Sequence, residues 1–284
     1  MGLNMDEQTI ERLFPLSADR LRLKQCRYGP MLYLANDLFI GRSLDRYGEY
    51  SEGEMELFRQ IIAPGQVILD IGANIGTHTV VLAQLTGPRG AVFAFEPQRL
   101  IFQILCANVA LNGLPHVQPH HAAVGSQLGS IAVPMLDVAI EQNFGALDLG
   151  PHAEGDRVRL TTIDELKLPV CHFIKVDVEG MEGEVIAGGE NTIRHFHPVL
   201  YLENERSDRS PLLIRRLFDL GYRLYWHIVP MFNPKNYCGE QENVLGNVAS
   251  FSVLGLHSSV PQNVEGLTEI VSPEQGPTLP SDPP

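Results

Sequence analysis

Between residues 67 and 257, short apolar runs alternate with stretches in which apolar residues recur every three or four positions. The run VILDI (67–71) predicts a buried strand, and IGTHTVVLAQL (75–85) predicts the helix that follows it. The same pattern predicts further strands at 90–97, 117–125, 171–180, 198–205, 222–229 and 247–257. Helices are predicted between most of them, at 98–113, 181–196 and 211–221. This alternation is typical of a parallel sheet covered on both faces, and the last two strands, with no helix between them, indicate an antiparallel edge.

The two ends of the chain follow different patterns. We expect residues 1–50 to form an N-terminal extension, with a helix over 6–14 and short strands over 20–44. The main domain is expected over residues 51–257. Residues 258–284 hold six prolines and show no periodicity, which predicts a disordered tail.

Two features inside the main domain bear on its local structure. Ser51 and Glu54 have the spacing of a capping box, which predicts that they close the start of a helix. Residues 126–166 interrupt the alternation with two strand-like runs and a glycine-rich piece between them, and the segment is long enough to form a lid or a substrate loop.

Composition narrows the function classes. The formal net charge is −13, and a field of that sign repels phosphate backbones, so we expect neither DNA nor RNA as a substrate. The four cysteines are widely spaced and form no CxxC pair, which is typical of reduced thiols rather than of disulfides or a zinc site. No apolar run reaches the length of a membrane span, so we expect a cytoplasmic protein with no membrane partner.

The turn after the first strand of the main domain indicates which ligand it accepts. A dinucleotide site requires G-x-G-x-x-G, because bare backbone must approach the pyrophosphate. Here Asn74 replaces the second glycine between Gly72 and Gly76, and Thr77 follows in place of the third. A ligand whose only anion is a carboxylate still fits the helix N-terminus. Glu96, 24 residues after Gly72, ends the next strand and can accept both hydroxyls of a ribose. These requirements describe S-adenosylmethionine.

Several blocks of the chain resemble the FkbM family of S-adenosylmethionine-dependent methyltransferases. The blocks are LDIGANIGTHT, FAFEP, HHAAVG, TTIDEL and FIKVDVEGMEGEVIAGG, and the similarity runs over about residues 48–257. It implies an α/β fold with a Rossmann-like, seven-stranded methyltransferase sheet that is mostly parallel, has an antiparallel edge strand and carries helices on both faces. It also implies O-methylation of a hydroxyl on a polyketide, a sugar or glycan precursor, or another small molecule.

The resemblance also implies a set of cofactor-binding residues. The methionine part would be surrounded by residues of the glycine turn, namely Asp70, Gly72, Asn74 and Gly76, with Thr77 beside them. Glu96 would hold the ribose, and the turn at Ala122 and Ala123 would meet the adenine.

The block KVDVEGMEGE supplies the candidate catalytic residues. Ligands of open α/β sheets bind beyond the carboxyl ends of the strands, so Asp177 is expected to face the same crevice as the glycine turn. Methyl transfer to an alcohol requires alignment and loss of the hydroxyl proton. We expect Asp177 to act as the base or orienting group, with Glu179 and Glu203 in support. Asp177 and Glu179 would alternatively bind a divalent metal or the amino group of the cofactor; no metal is assigned.

Other interpretations stay open at this point. His78 would touch the cofactor or take a capping or surface role, and His227 would be a base or an ordinary edge-strand histidine. A nicotinamide-dependent oxidoreductase also uses a glycine turn and an acidic residue, but Asn74 and the lack of a Tyr-x-x-x-Lys pair disfavour it. A non-catalytic module that only binds S-adenosylmethionine is the other alternative.

Overall fold

The computed structural model describes residues 20–137, 140–145, 154–205, 208–260, 264 and 266–277. The helix predicted over residues 6–14 lies outside the described residues. The strands, in chain order, are β1 (Leu21–Cys26), β2 (Gly29–Leu34), β3 (Val67–Ile71), β4 (Ala91–Phe95), β5 (Val117–His120), β6 (Ala122–Val124), β7 (Gly129–Val133), β8 (Asp156–Thr161), β9 (Phe173–Val176), β10 (Val199–Glu203), β11 (Tyr222–Pro230), β12 (Ala249–His257) and β13 (Thr268–Ile270). The α-helices are α1 (Ile40–Tyr47), α2 (Glu52–Ile61), α3 (Thr77–Thr86), α4 (Arg99–Leu111), α5 (Glu182–Gly188), α6 (Glu190–Phe196) and α7 (Ser210–Asp219).

The main sheet has the order β13-β11-β12-β10-β9-β3-β4-β5. Five neighbouring strands of this sheet, β10, β9, β3, β4 and β5, are parallel to one another. From β3 the chain first adds strands on one side, β4 and β5, and then crosses to the other side to form β9 and β10. This is the doubly wound, Rossmann-like arrangement, in which ligands bind at the carboxyl ends of the two strands where the strand order reverses, here β3 and β9. Strand β12 runs antiparallel to β10 and β11, and β13 runs antiparallel to β11 at the edge. The predictions of a mostly parallel sheet and of an antiparallel edge are confirmed.

The strand count differs from the sequence prediction. The sheet has eight strands within the described residues rather than seven, because Thr268–Ile270 pairs with β11. This strand lies inside the segment predicted to be disordered, and that prediction is wrong for these residues. Trp226 explains the difference, since its indole nitrogen donates to the Gln275 carbonyl at 3.1 Å and its ring is 3% exposed beneath the segment. A buried aromatic ring on β11 anchors a sequence that carries no periodic signal of its own.

Helices cover both faces of the sheet. Buried side chains of α2, α3 and α4 pack on one face, and those of α5, α6 and α7 pack on the other. Alternation along β10 divides its residues between these cores, because Tyr201 faces the first while Leu200 and Leu202 face the second. The β1–β2 hairpin extends the first core, and the Asn108 side chain of α4 joins it by exchanging hydrogen bonds with the Leu32 backbone at 2.7 and 2.9 Å.

Three local predictions need correction. The run predicted as a strand within 37–44 forms helix α1, since the Asp37 carboxylate accepts the Phe39 backbone N–H at 3.0 Å and closes the start of the helix. The strand predicted at 117–125 splits in two, with β5 in the main sheet and β6 in a separate sheet with β7 and β8. The helix predicted at 181–196 is divided at Gly189 into α5 and α6.

Candidate active site

A cavity of about 230 Å³ opens at the carboxyl ends of the parallel strands. Its walls come from the loops after β3, β4, β9 and β10, where open α/β sheets bind ligands. Asn143 and Gly145, from the long segment after β7, also line it, and the Gln98 side chain ties that segment to the wall by donating to the Phe144 carbonyl at 3.0 Å. The insertion predicted over residues 126–166 therefore reaches the cavity.

The glycine turn forms one wall. Gly72 has φ +79°, and a Cβ at that position would lie 1.6 Å from the Asp177 carbonyl oxygen, so only glycine lets the two loops meet. Asn74 adopts φ +49° and fixes the turn by accepting the Ile75 N–H on its side-chain oxygen at 2.7 Å. Gly72, Asn74 and Thr77, three of the predicted cofactor residues, line the cavity.

Glu96 ties the turn to the second strand. One carboxylate oxygen accepts the Asn74 N–H at 2.9 Å and the other accepts the Gln98 N–H at 2.8 Å. The side chain is 4% exposed, and this burial, together with the nearby charges of Asp177 and Asp70, raises its pKa to about 7 despite the two amide donors. Glu96 lines the cavity with lone pairs still free to accept ligand hydroxyls.

Four predicted cofactor residues do not line the cavity: Asp70, Gly76, Ala122 and Ala123. Asp70 is fully buried beneath the turn, where it accepts the Thr79 hydroxyl at 2.6 Å. A Cβ at Gly76 would lie 2.7 Å from a Leu105 methyl carbon, so this glycine permits close packing of α3 on α4. The two alanines are buried in β6. The structure places these residues behind the cavity wall, and their contact with a ligand stays a prediction.

The candidate catalytic carboxylates come together at one end of the cavity. Asp177, Glu179 and Glu203 each present an oxygen, and these three atoms lie within 4.8 Å of one another. Burial and the charges of Asp177 and Glu179 raise the pKa of Glu203 well above its ordinary value. Glu205 lines the same region, and its pKa is raised by burial and by Asp177. Such a cluster can take up a proton or, as the alternative from the sequence allows, hold a divalent cation.

Lys175 is a site residue that sequence reasoning missed. It is 3% exposed in the otherwise apolar strand FIKV, and its ammonium lies 3.1 Å from Asp177 and 3.7 Å from Asp70. Burial lowers the pKa of this lysine, but the carboxylates of Asp177, Asp70 and Glu54 together raise it above its ordinary value. The lone lysine in an apolar strand was the available signal, because a buried ammonium requires anionic partners.

Glu54 was also missed, since it was assigned to a capping box. That prediction is wrong: Ser51 makes no side-chain cap, and the Glu54 side chain points into the interior, 4% exposed. One of its oxygens lies 2.6 Å from His78 Nε2, and the other accepts the hydroxyls of Tyr201 at 3.0 Å and Ser250 at 2.9 Å. Burial opposes its ionisation, but His78 and Lys175 bring its pKa down to about 2.

The two histidines considered from the sequence, His78 and His227, lie on different sides of the cavity wall. His78 lines the cavity, as the cofactor-side interpretation requires. His227 lies outside it and shares a 2.9 Å hydrogen bond with the Tyr201 hydroxyl.

No helix among the described residues has the length and apolar character needed to span a membrane.

Comparison with known proteins gives the family. A family model for the methyltransferase FkbM domain matches residues 70–224. Hexuronic acid methyltransferase AglP of Haloferax volcanii is 29% identical over 155 residues, covering 52% of this chain and 61% of the relative, so this chain spans less than two thirds of that protein. The 2-O-methyltransferase NoeI of Sinorhizobium fredii is 28% identical over 222 residues, covering 66% of this chain and 88% of the relative.

Among solved structures, methyltransferase FkbM from Methylobacillus flagellatus KT has a TM-score of 0.45 and 17% identity, covering 71% of this chain and 50% of that chain. The family match extends over more than half of the sequence and includes both the glycine turn and the block IKVDVEG. The chain belongs to the FkbM methyltransferase family.

Proposed function

We propose that this protein transfers a methyl group from S-adenosylmethionine to a hydroxyl of a sugar or another small molecule. The observation that carries the proposal is the meeting, in one cavity, of a turn blocked to diphosphates by Asn74, the buried carboxylate of Glu96 and a carboxylate cluster at the end of β9 and β10. Family membership supports methyl transfer. The relatives, named a hexuronic acid methyltransferase and a 2-O-methyltransferase, support a hydroxyl acceptor of this class.

The residues present fit the cofactor. Glu96 would accept the ribose hydroxyls, and the backbone of Gly72 and Asn74 would hold the amino-acid part, since all three residues line the cavity. Six carboxylates line the cavity within the described residues, which suits a ligand that carries a sulfonium and an ammonium: Glu54, Glu96, Asp177, Glu179, Glu203 and Glu205. When bound, S-adenosylmethionine supplies an electrophilic methyl group.

The acceptor hydroxyl is oriented by Asp177 and gives its proton to the carboxylate cluster. The Lys175 ammonium donates to the Asp177 carboxylate at 3.1 Å and holds it in place. Glu203 is the member of the cluster best suited to take up the proton, since burial and the charges of Asp177 and Glu179 raise its pKa and so strengthen its affinity for a proton. Glu179 shares the cluster and adds its charge to that shift.

The test is transfer of a labelled methyl group from S-adenosylmethionine to a panel of sugars, uronic acids and polyketide alcohols. Asp177→Asn and Glu203→Gln are each expected to lower the rate by roughly 100-fold or more, while binding of S-adenosylhomocysteine by calorimetry stays within a few-fold of the parent. Glu165→Gln, a change at an exposed glutamate outside the cavity, is the matched control.

Two results would contradict the proposal. Tight binding of NADH without binding of S-adenosylhomocysteine would favour an oxidoreductase, and cofactor binding with no transfer to any acceptor class would favour a non-catalytic module. A rate that collapses in EDTA and returns with a divalent cation would reassign the carboxylate cluster from proton acceptor to metal ligand.

A further inference from the structure

The acceptor needs a place of its own beside the cofactor cavity. That cavity measures about 230 Å³, close to the lower end of the roughly 300 to 1,000 Å³ that sites for one drug-sized ligand span, so it has room for the cofactor and not for a second molecule. A cleft of about 900 Å³ adjoins it and shares three of its lining residues, Glu179, Glu203 and Glu205. An acceptor bound in this cleft therefore reaches the carboxylate cluster from outside the cavity.

The cleft lies between helix α5, with the turn before it, and helix α7. Three arginines line the α7 wall, Arg209, Arg215 and Arg216. Arg215 pairs with Glu274 at 3.3 Å, and Arg216 pairs with Glu190 at 3.0 Å. Arg209 forms no ion pair with any residue that the structure describes, so it is the guanidinium on this wall whose charge a carboxylate has not already matched.

Arg209 is held beside the loop that carries the carboxylate cluster. Its guanidinium donates one hydrogen bond to the carbonyl of Gly180, which directly follows Glu179 in the chain. A guanidinium has five N–H donors, so the others can serve an anionic group on a ligand. Arg209 also directly precedes α7, whose first turn holds no acidic residue, and the helix dipole adds to the positive potential there.

Acidic residues also line the cleft, but their positions leave the start of the α7 wall positive. Glu182 is 8% exposed, and its carboxylate turns back to accept the Gly180 N–H at 2.9 Å. Glu184 is exposed on the opposite wall. Asp219 is ten residues after Arg209, which places it about 15 Å farther along the helix axis.

The same wall offers apolar surface beside the guanidinium, because Leu212, one turn after Arg209, is 73% exposed. This combination suits a sugar ring that carries an anionic group. We propose that the acceptor binds in the cleft between α5 and α7, and that Arg209 is a specificity-determining residue that selects acceptor sugars bearing a carboxylate or a phosphate. The inference rests on the proposed function and adds to it the place and the charge class of the acceptor.

The test measures kcat/KM for transfer of a labelled methyl group to matched acceptors: methyl glucoside, methyl glucuronide and glucose 1-phosphate, with the galactose counterpart of each. We expect the parent protein to prefer anionic over neutral acceptors by roughly 10- to 100-fold, the range of a hydrogen bond between charged groups. The uronate and phosphate arms show which anion supplies the charge.

In Arg209→Gln this preference should fall to about threefold or less, and Arg209→Lys should keep part of it. The ratio between acceptors isolates charge recognition, because loss of the contact with the Gly180 carbonyl affects neutral and anionic acceptors alike. Arg89→Gln is the control, since Arg89 is an exposed arginine outside the cleft, and it should keep the parental preference.

A second pair of variants leaves Arg209 in place. Leu212→Glu puts a carboxylate one helical turn from the guanidinium, so the preference for anionic acceptors should fall several-fold, whereas Leu212→Gln should keep it. Leu212 is exposed and lies outside the cofactor cavity, so both variants should fold and bind S-adenosylhomocysteine as the parent does.

Two outcomes would overturn the inference and leave the proposed methyl transfer intact. One is equal kcat/KM for neutral and anionic acceptors in the parent, and the other is an unchanged preference in Arg209→Gln. Transfer to none of these sugars, charged or neutral, would remove the proposed sugar acceptor and the inference together.

Discussion

Replacing Glu96 with Gln tests how the buried carboxylate at the glycine turn is held. The pKa of Glu96 is raised from 4.5 to about 7, mainly by burial, so the folded state binds this proton more tightly than the unfolded chain does. A group of this kind contributes stability below its unfolded pKa and loses that contribution as the pH rises through its folded pKa. Each pKa unit corresponds to 1.36 kcal/mol, so the contribution is about 3 kcal/mol in total.

Between pH 5 and pH 8 the parent should lose most of this contribution, which is about 2 to 3 kcal/mol of unfolding free energy and can be measured directly. Glu96→Gln removes the titrating group. The unfolding free energy of the parent minus that of the variant should therefore be larger at pH 5 than at pH 8 by this amount. The variant also gives one of the two amide donors, Asn74 N–H or Gln98 N–H, a side-chain NH₂ in place of an oxygen. That loss costs about 1 to 3 kcal/mol and does not vary with pH.

Urea unfolding at pH 5, 6, 7 and 8, followed by circular dichroism, separates the two effects. The constant offset reports the lost amide acceptor, and the change with pH reports the ionisation of Glu96. Glu165→Gln, at an exposed position, should follow the parent at every pH. A parent-minus-variant difference that is flat across this range would refute the reasoning that burial dominates the environment of Glu96.

Three further changes test other parts of the site and sheet. Gly72→Ala should abolish folding or cost more than about 3 kcal/mol, because its Cβ would lie 1.6 Å from the Asp177 carbonyl oxygen; a soluble variant with parental melting temperature would contradict the close approach of the two loops. Lys175→Met should lower the free energy of unfolding by about 3 to 5 kcal/mol in denaturant titrations, because it leaves the carboxylates of Asp177 and the fully buried Asp70 without their cation. The loss should be smaller at low pH, where protonation removes the uncompensated charge. Removing residues 266–277 and the chain beyond them should shift Trp226 fluorescence to longer wavelength, since the last strand covers its ring; an unchanged spectrum would show that the ring is shielded without that strand.

The sequence alone determined the local parts of the site. The strand–turn–helix at residues 67–86, the placement of Glu96 at the end of the next strand and the exposure of Asp177 to the same crevice all follow from short-range patterns and from the rule that parallel strands share one carboxyl edge. The left-handed conformation of Asn74 is local in the same sense, because asparagine is one of the few residues that adopt it readily.

Only the tertiary structure decided which distant residues complete the cavity. Glu54 meets Tyr201 147 positions away and Ser250 196 positions away, and nothing in the local sequence distinguishes this carboxylate from a helix cap. The pairing of Lys175 with Asp70 joins neighbouring parallel strands whose order in the sheet is set by the fold. The physical reason is that local propensity fixes backbone conformation over a few residues, whereas a buried charge finds its partner only after chain segments far apart in sequence have packed against the same sheet.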